Sequence, residues 1–97
     1  MTTWMIEYVY DDNAAGRDAH RPEHRAYLAS LAADNKMPAY GRFTDDGPAG
    51  ALLIAQAETQ AEVESMIASD PFSRHGLIDS YRIREWPAVW AAPQVTQ

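Results

Sequence analysis

The opening segment, residues 4–10, constrains the fold more than any other part of the sequence, because its side chains alternate without a breaker. Four large side chains fall on one side of the extended chain: Trp4, Ile6, Tyr8 and Tyr10. The other side carries Met5, Glu7 and Val9. Aromatic and β-branched residues favour strands, and this spacing predicts a strand with two distinct faces.

The first helix is predicted to begin at Pro22, because the missing N–H of proline costs nothing at the first helical position. Residues 17–21, just before it, are predicted to form a polar loop. His24, Leu28 and Leu31 follow the spacing of a single helix face. We therefore expect His24 to face inward from the first helical turn.

Short runs bounded by turn residues predict three further strands: residues 39–44, 49–57 and 79–86. The first two are expected to pair as a hairpin across an Asp-Asp-Gly-Pro turn. Thr59, with Glu62 three residues later, forms the capping box of a second helix. Asp70 is predicted to cap a further helical turn that begins with Pro71 and is closed by Gly76.

The resulting order, β-α-β-β-α-β, predicts an α+β, ferredoxin-like sandwich. Its helices cover one face of the sheet, and the other face is left bare with many large apolar groups. Such a face predicts a homodimer formed through the open sheet face. Residues 1–97 are expected to form one domain, with a core over about residues 4–88. The tail, residues 89–97, is expected to fray unless Trp90 docks.

Charge and composition exclude several functional classes. The 97 residues include 14 acidic and 8 basic side chains, a net charge of −6 that repels nucleic acid and anionic membranes. The chain has no cysteine, which excludes a thiol nucleophile and a cysteine-based metal site. No apolar stretch approaches the ~20 residues of a membrane span, and the N-terminus lacks a signal-peptide pattern. We expect a cytoplasmic protein without nucleic-acid or membrane partners.

His24 and Asp70 are the candidate catalytic residues. An imidazole titrates near neutral pH, so His24 is suited to act as a general acid or base. The alternative is a half-buried histidine that is satisfied by a backbone carbonyl. Asp70 is suited to orient that imidazole, although a helix cap alone also explains it. Both roles are compatible, since one carboxylate oxygen can cap while the other binds the ring.

Five further residues are candidates for binding a substrate. Four are arginines, which hold carboxylates well but are equally explained as solvated or ion-paired side chains: Arg21, Arg42, Arg82 and Arg84. The fifth, Phe72, lines either an apolar slot or the core. No phosphate loop, HExxH or GxSxG motif is present, so no cofactor is expected.

A metal site is not expected either. His20 and His24 have a spacing that can hold an ion only if both residues are helical. With a helix that begins at Pro22, His20 lies outside it, and no third ligand is obvious. His75, in the turn before Gly76, is expected to be an exposed loop residue.

Taken together, these features resemble the YciI-like family of small bacterial proteins over about residues 4–88. They are the aromatic first strand, Arg21-Pro22-Glu23-His24, Leu28, Gly41, Gly50, Ser69-Asp70-Pro71-Phe72, Gly76 and Trp86. The resemblance implies a ferredoxin-like dimeric α/β barrel, in which two four-stranded sheets pack face to face. It also implies a site that pairs the histidine of the first helix with the aspartate of the Asp-Pro-Phe turn, here His24 and Asp70.

The family is similar to the muconolactone-isomerase group, and some relatives are dehydrochlorinases of chlorinated hydroxyquinols. The resemblance therefore implies an enzyme of lyase, isomerase or dehydrochlorinase type, in which His24 moves a proton on a small organic acid and Asp70 holds the imidazolium. The alternative is a non-catalytic homodimer that binds a small ligand or assists a pathway enzyme. A structural dimer without a pocket is a third possibility.

Overall fold

Four strands and three helices make up the computed structural model, which describes residues 1–89 and residue 91. The elements are β1 (Thr2–Val9), α1 (Ala14–Ala33), β2 (Ala39–Arg42), β3 (Gly50–Ala57), α2 (Gln60–Ser69), α3 (Pro71–Arg74) and β4 (Ser80–Glu85). The single turn of α3 follows α2 directly. The expectation for Trp90 lies outside the described residues.

The strands form one antiparallel sheet in the order β2-β3-β1-β4, so β1 is an inner strand. Ile6 on β1 lies opposite Leu53 on β3 and opposite Ile83 on β4. Residues that lie directly opposite each other share a face of the sheet, and these three face the helices. The prediction of an α+β, ferredoxin-like fold is confirmed. Within one chain the sheet is open and does not close into a barrel.

The core lies between the sheet and the helices. Trp4, Ile6 and Tyr8 are all buried, so the side of β1 that carries them is its inner face. Apolar side chains from the helices pack against them: Leu28, Val63 and Ile67. Each large apolar side chain that is fully removed from water contributes about 1.5–3 kcal/mol, so this layer is the main source of stability.

The predicted beginning of α1 is wrong. The helix begins at Ala14 rather than at Pro22, and residues 17–21, predicted as a loop, are helical. The side chain of Asn13 caps this earlier start by accepting the backbone N–H of Gly16 at 3.0 Å. Asparagine is a strong N-cap residue, but the segment after it lacks the apolar stripe by which helices are detected.

Tertiary contacts hold the first turns of α1 in place of an apolar stripe. Arg17 is buried, and its Nη1 donates to the carbonyl oxygen of Asp11 at 2.9 Å and to the Asp11 carboxylate at 3.3 Å. Its guanidinium also lies over the ring of Tyr10, 4.8 Å from the centroid. These contacts offset the backbone hydrogen bond that Pro22 removes inside the helix. As a result, His20 is helical, one turn before His24.

The predicted beginnings of the later helices are confirmed. Thr59 caps α2, and its Oγ1 accepts the N–H of Glu62 at 3.3 Å. Asp70 caps α3, where its Oδ1 accepts the N–H of Phe72 at 2.9 Å. Gly76 adopts φ of +67° just after α3, which is a conformation that glycine favours.

The second face of the sheet is not covered by a helix, and we refer to it as the open face. It is formed by Met5, Glu7, Val9, Leu52, Ile54, Arg82 and Arg84. Most of these side chains are apolar, and the Arg82 guanidinium is paired with Glu7 at 2.7 Å. In residues 1–89 and 91, no helix has the length and apolar character needed to span a membrane.

Gly50 is required where β3 meets β1. A methyl group there would lie 2.3 Å from the carbonyl oxygen of Tyr8, far inside contact distance. We expect Gly50→Ala to lower the free energy of unfolding by about 1–3 kcal/mol, because the strands must separate to admit it. Gly41→Ala is the matched control, since a methyl group there meets nothing within 4 Å. Urea unfolding measures both changes, and equal midpoints for the two variants would contradict the prediction.

Candidate active site

Asp70 lies at the junction of α2 and α3 and has no exposed surface. Pro71 after it has no N–H, so the first donor that the cap can bind is the N–H of Phe72, at 2.9 Å from Oδ1. A buried carboxylate is costly unless it is hydrogen-bonded. The local sequence therefore supplies one of the donors that Asp70 needs.

Two further donors reach Asp70 from distant parts of the chain. The Nδ1 atom of His24, on α1, lies 2.7 Å from Oδ1 of Asp70. The hydroxyl of Tyr8, on β1, donates to Oδ2 at 3.0 Å. The structure thus brings the predicted pair into contact and adds a third member, Tyr8, to it.

This arrangement fixes which nitrogen of His24 is free. A carboxylate accepts hydrogen bonds, so Nδ1 carries the hydrogen that points at Asp70. Nε2 then has the lone pair of the neutral ring, and His24 is one of the residues that line a pocket. An imidazole in this tautomer can accept a proton at Nε2 while Asp70 stabilises the cation that results.

Phe72 holds the imidazole plane. Its ring stacks on that of His24 with centroids 3.8 Å apart and planes only 3° from parallel. The ring of Tyr10 packs edge-on against that of Phe72, with the two ring centroids 5.8 Å apart. Because the backbone N–H of Phe72 binds Asp70 while its ring packs on His24, one residue positions both members of the pair.

The phenols of Tyr8 and Tyr10, which lie near Asp70, stay protonated at neutral pH. Burial, together with the negative charge of Asp70, raises the pKa of Tyr8 far above its ordinary value of 10.0. Burial and the same charge raise the pKa of Tyr10 to about 12. At neutral pH, Tyr8 therefore donates to Asp70 and does not compete with it for a proton.

A pocket of about 230 Å³ opens beside His24 and Phe72. Three guanidinium side chains line it: Arg21 and Arg25 from α1, and Arg42 from β2. Arg21 is paired with Asp18.

The size and charge of this pocket indicate what it can hold. An apolar cavity of about 150 Å³ accommodates benzene, so a volume of about 230 Å³ is suited to a substituted single ring. In a chain of net charge −6, three guanidinium groups around one pocket favour an anionic ligand.

The structure brings four of the seven sequence-predicted site residues around His24 and leaves two elsewhere. Phe72, Arg21 and Arg42 line the pocket with His24, and Asp70 lies directly behind the imidazole. By contrast, Arg82 and Arg84 project from β4 onto the open face, on the other side of the sheet. The structure does not place these two with His24 in one chain.

Tyr8 is the functional residue that sequence reasoning missed as a partner of Asp70. Its alternation with Ile6 places it on the buried face, but the sequence gives no sign of what its hydroxyl meets 62 residues later. A buried tyrosine usually needs a hydrogen-bond partner, which is the only signal that points to such a contact.

A second group of side chains has the composition of a metal site. His20, Glu23 and His75 each offer one ligand atom, and these atoms all lie within 4.8 Å of one another. None of these three residues is among those that line the pocket beside His24.

Comparison with known proteins identifies the family of this chain and several solved structures that it resembles. The family model of the YCII-related domain matches residues 1–87. The search of curated proteins gives no match. Among solved structures, the 5-chloro-2-hydroxyhydroquinone dehydrochlorinase TftG from Burkholderia phenoliruptrix AC1100, in complex with 2,5-dihydroxybenzoquinone, is 27% identical with a TM-score of 0.77. That alignment covers 87% of this chain and 92% of the dehydrochlorinase.

More distant structures share only the fold. Protein Atu4242 from Agrobacterium tumefaciens is 16% identical with a TM-score of 0.60, over 98% of this chain and 100% of its own. PA3566 from Pseudomonas aeruginosa is 20% identical with a TM-score of 0.56, over 92% and 96%. These likenesses support the α+β architecture and carry no information about chemistry.

The hydrogen bond from Tyr8 to Asp70 is expected to make stability depend on alkaline pH. The pKa of Tyr8 is raised in the folded state relative to the unfolded state. The hydrogen bond from Tyr8 therefore stabilises the fold fully below pH 10.0, and this stabilisation is lost as the pH rises above that value. Tyr8→Phe should lower the free energy of unfolding by about 1–3 kcal/mol at neutral pH, since it leaves a lone pair of buried Asp70 without a donor.

Urea unfolding at a series of pH values measures both effects. The Tyr8→Phe protein should lose less stability than the wild type between pH 9 and the alkaline limit of folding. Tyr81→Phe removes an exposed phenol and serves as the control, with the wild-type slope expected. Identical alkaline slopes for Tyr8→Phe and the wild type would refute the coupling.

Proposed function

The chain belongs to the YCII-related domain family, and we propose that it is an enzyme in which His24 moves a proton on a small organic molecule. The observation that carries the proposal is the 2.7 Å contact between Nδ1 of His24 and buried Asp70, which leaves Nε2 as the nitrogen available for proton transfer in a residue that lines the pocket. A positioned base with a carboxylate behind it is the minimal machinery for general acid–base catalysis.

The proposed substrate class is a single-ring organic anion. The pocket volume of about 230 Å³ suits one substituted ring, and Arg21, Arg25 and Arg42 supply positive charge around it. The dehydrochlorinase to which this chain is similar was solved with 2,5-dihydroxybenzoquinone, a molecule of that size. Ionised hydroxyl or carboxylate groups on such a ring are the natural partners of the guanidinium groups.

The proposed reaction is an elimination or an isomerisation. In an elimination, a proton passes from the ring substrate to Nε2 of His24, the released electron pair forms a double bond, and a leaving group departs as an anion. In an isomerisation, the imidazolium returns the same proton to another atom of the substrate. Asp70 stabilises the imidazolium in both cases, and Phe72 keeps the ring in the plane that the transfer needs.

A non-catalytic binding protein is the second candidate. The three arginines that line the pocket favour it, because they are sufficient to hold an anion without any proton transfer. The two functions differ in what they require of His24, which is essential to an enzyme and dispensable to a binding protein.

We also propose that a second copy of this chain covers the open face, giving a dimer of two sheets packed face to face. The face is continuous and largely apolar: Leu52 is 37% exposed at its centre, and Trp86 is 46% exposed at its edge. The Glu7–Arg82 pair neutralises two of the three charges on this face, which leaves the charge of Arg84 on a face that is otherwise apolar. A sheet-to-sheet interface would remove these side chains from water.

Substitution of His24 tests the catalytic proposal. With a substrate found by screening hydroxylated or halogenated ring acids, His24→Gln should lower kcat by about 100- to 10,000-fold. Calorimetric binding of 2,5-dihydroxybenzoquinone should change by less than about threefold, since the arginines remain. Full turnover by His24→Gln would refute the enzyme, and tight binding by the wild type without turnover of any screened compound would favour the binding protein.

Asp70→Asn is the companion variant, because asparagine also caps helices but carries no charge. We expect it to fold and to lower kcat in the same direction. Asp79→Asn, at an exposed position, is its matched control and should leave kcat unchanged.

Substitution on the open face tests the dimer. We expect the wild type to sediment as a dimer and Leu52→Arg to sediment as a monomer, because the substitution places an unpaired charge in the centre of the interface. Ala68→Arg adds the same charge on the exposed side of α2 and should remain dimeric. A dimeric Leu52→Arg protein would show that the copies meet elsewhere.

A further inference from the structure

His20, Glu23 and His75 form a second titratable cluster that the proposed reaction does not use. His20 and Glu23 come from consecutive turns of α1, and His75 follows α3. Oε1 of Glu23 lies 3.7 Å from Nδ1 of His20, and Oε2 lies 3.8 Å from Nε2 of His75. The two imidazole rings stack with centroids 3.7 Å apart and planes 18° from parallel. One carboxylate therefore lies between two histidine nitrogens.

The contacts within this cluster are too long to be hydrogen bonds. Distances of 3.7 and 3.8 Å exceed the range in which an N–H donates to a carboxylate. Nδ1 of His20 is also buried and has no hydrogen-bond partner in the described part of the chain. Buried polar atoms are rarely left in this state, and a bound ion is one of the standard explanations. The three side chains thus converge on a point without satisfying one another.

We propose that His20, Glu23 and His75 bind a divalent transition-metal ion of the zinc type. Two imidazole nitrogens and one carboxylate oxygen are a recognised ligand set for zinc, in which water takes the fourth position. Ligand atoms that lie about 2.0–2.2 Å from one tetrahedral ion are ~3.4 Å apart. The atoms here all lie within 4.8 Å of one another, so small side-chain rotations are sufficient to bring them together.

The side chains have the freedom to make that movement. The side chains of His20, Glu23 and His75 are 31%, 60% and 44% exposed, and none is locked by a hydrogen bond in the described residues. An ion must lie near the plane of each imidazole that binds it, so the stacked rings are expected to turn apart on binding. The net charge of −6 favours the approach of a cation.

This cluster is possible because α1 begins at Ala14 and includes His20. With a helix that begins at Pro22, His20 would lie in a loop and no ligand set would form. In the structure, His20 and Glu23 occupy positions i and i+3 of one helix, so their side chains share a face. His75, expected from the sequence to be only an exposed loop residue, supplies the third ligand atom from the end of α3.

The position of the ion gives it a role distinct from the chemistry at His24. It would tie α1 to the end of α3, the two elements that carry His24 and Phe72. Binding of the ion does not depend on the proposed function, because none of its three ligands lines the pocket. The site is a clamp across two elements, and it acts on the pocket only by holding them together.

Calorimetric titration of the chelator-stripped full chain with zinc chloride tests the proposal, with magnesium chloride as the competing hard cation. We expect one zinc ion per chain and no magnesium binding, since imidazole ligands disfavour magnesium. His75→Gln and Glu23→Gln should each weaken zinc binding by at least about tenfold. Both residues are exposed, so the variants should keep the wild-type circular dichroism spectrum.

His24→Gln is the control that separates this site from the pocket, and its zinc affinity should equal that of the wild type. In proton NMR spectra, zinc should shift the imidazole signals of His20 and His75 and leave that of His24 in place. Absence of zinc binding, unchanged affinity in His75→Gln, or loss of affinity in His24→Gln would each overturn the proposal. One ion per two chains would also overturn it, because the three ligands belong to a single chain.

Discussion

A carboxylate with no exposed surface is stable in a protein interior only when donors surround it, and Asp70 has donors from three elements. The backbone of α3 supplies Phe72, α1 supplies His24 and the inner strand β1 supplies Tyr8. Removal of any one donor leaves a buried lone pair, so the three elements are held in a single arrangement. The inner strand of the sheet and the helices α1 and α3 therefore meet at one side chain.

That arrangement also explains why the candidate site lies where it does. The inner face of β1 carries Tyr8 toward the helices, and the proline after Asp70 forces the cap to reach the N–H of Phe72. The ring of Phe72 then stacks on His24 and sets its plane. The imidazole is consequently positioned by Asp70 and Phe72, and three arginines line the same pocket as His24.

Much of the fold could be predicted from the sequence because its signals are local. The alternation of Trp4, Ile6 and Tyr8 predicts β1, and the capping residues Thr59 and Asp70 predict the later helices. The start of α1 was not predictable in this way, since a buried arginine and its partners hold it rather than an apolar stripe. Contacts between distant residues, such as that of Tyr8 with Asp70, depend on how the elements pack and leave no pattern in the sequence.

The double use of Asp70 has a consequence for the evolution of such proteins. A descendant that no longer turned over a substrate would still be selected to keep this aspartate, because the cap of α3 and the buried tyrosine both require it. The structural demand at position 24 is weaker, because any side chain there that donates a hydrogen bond to Oδ1 of Asp70 satisfies the buried carboxylate. An aspartate retained at this position in a relative therefore indicates only that the fold has been kept, whereas a histidine retained at the position of His24 indicates that the chemistry has been kept.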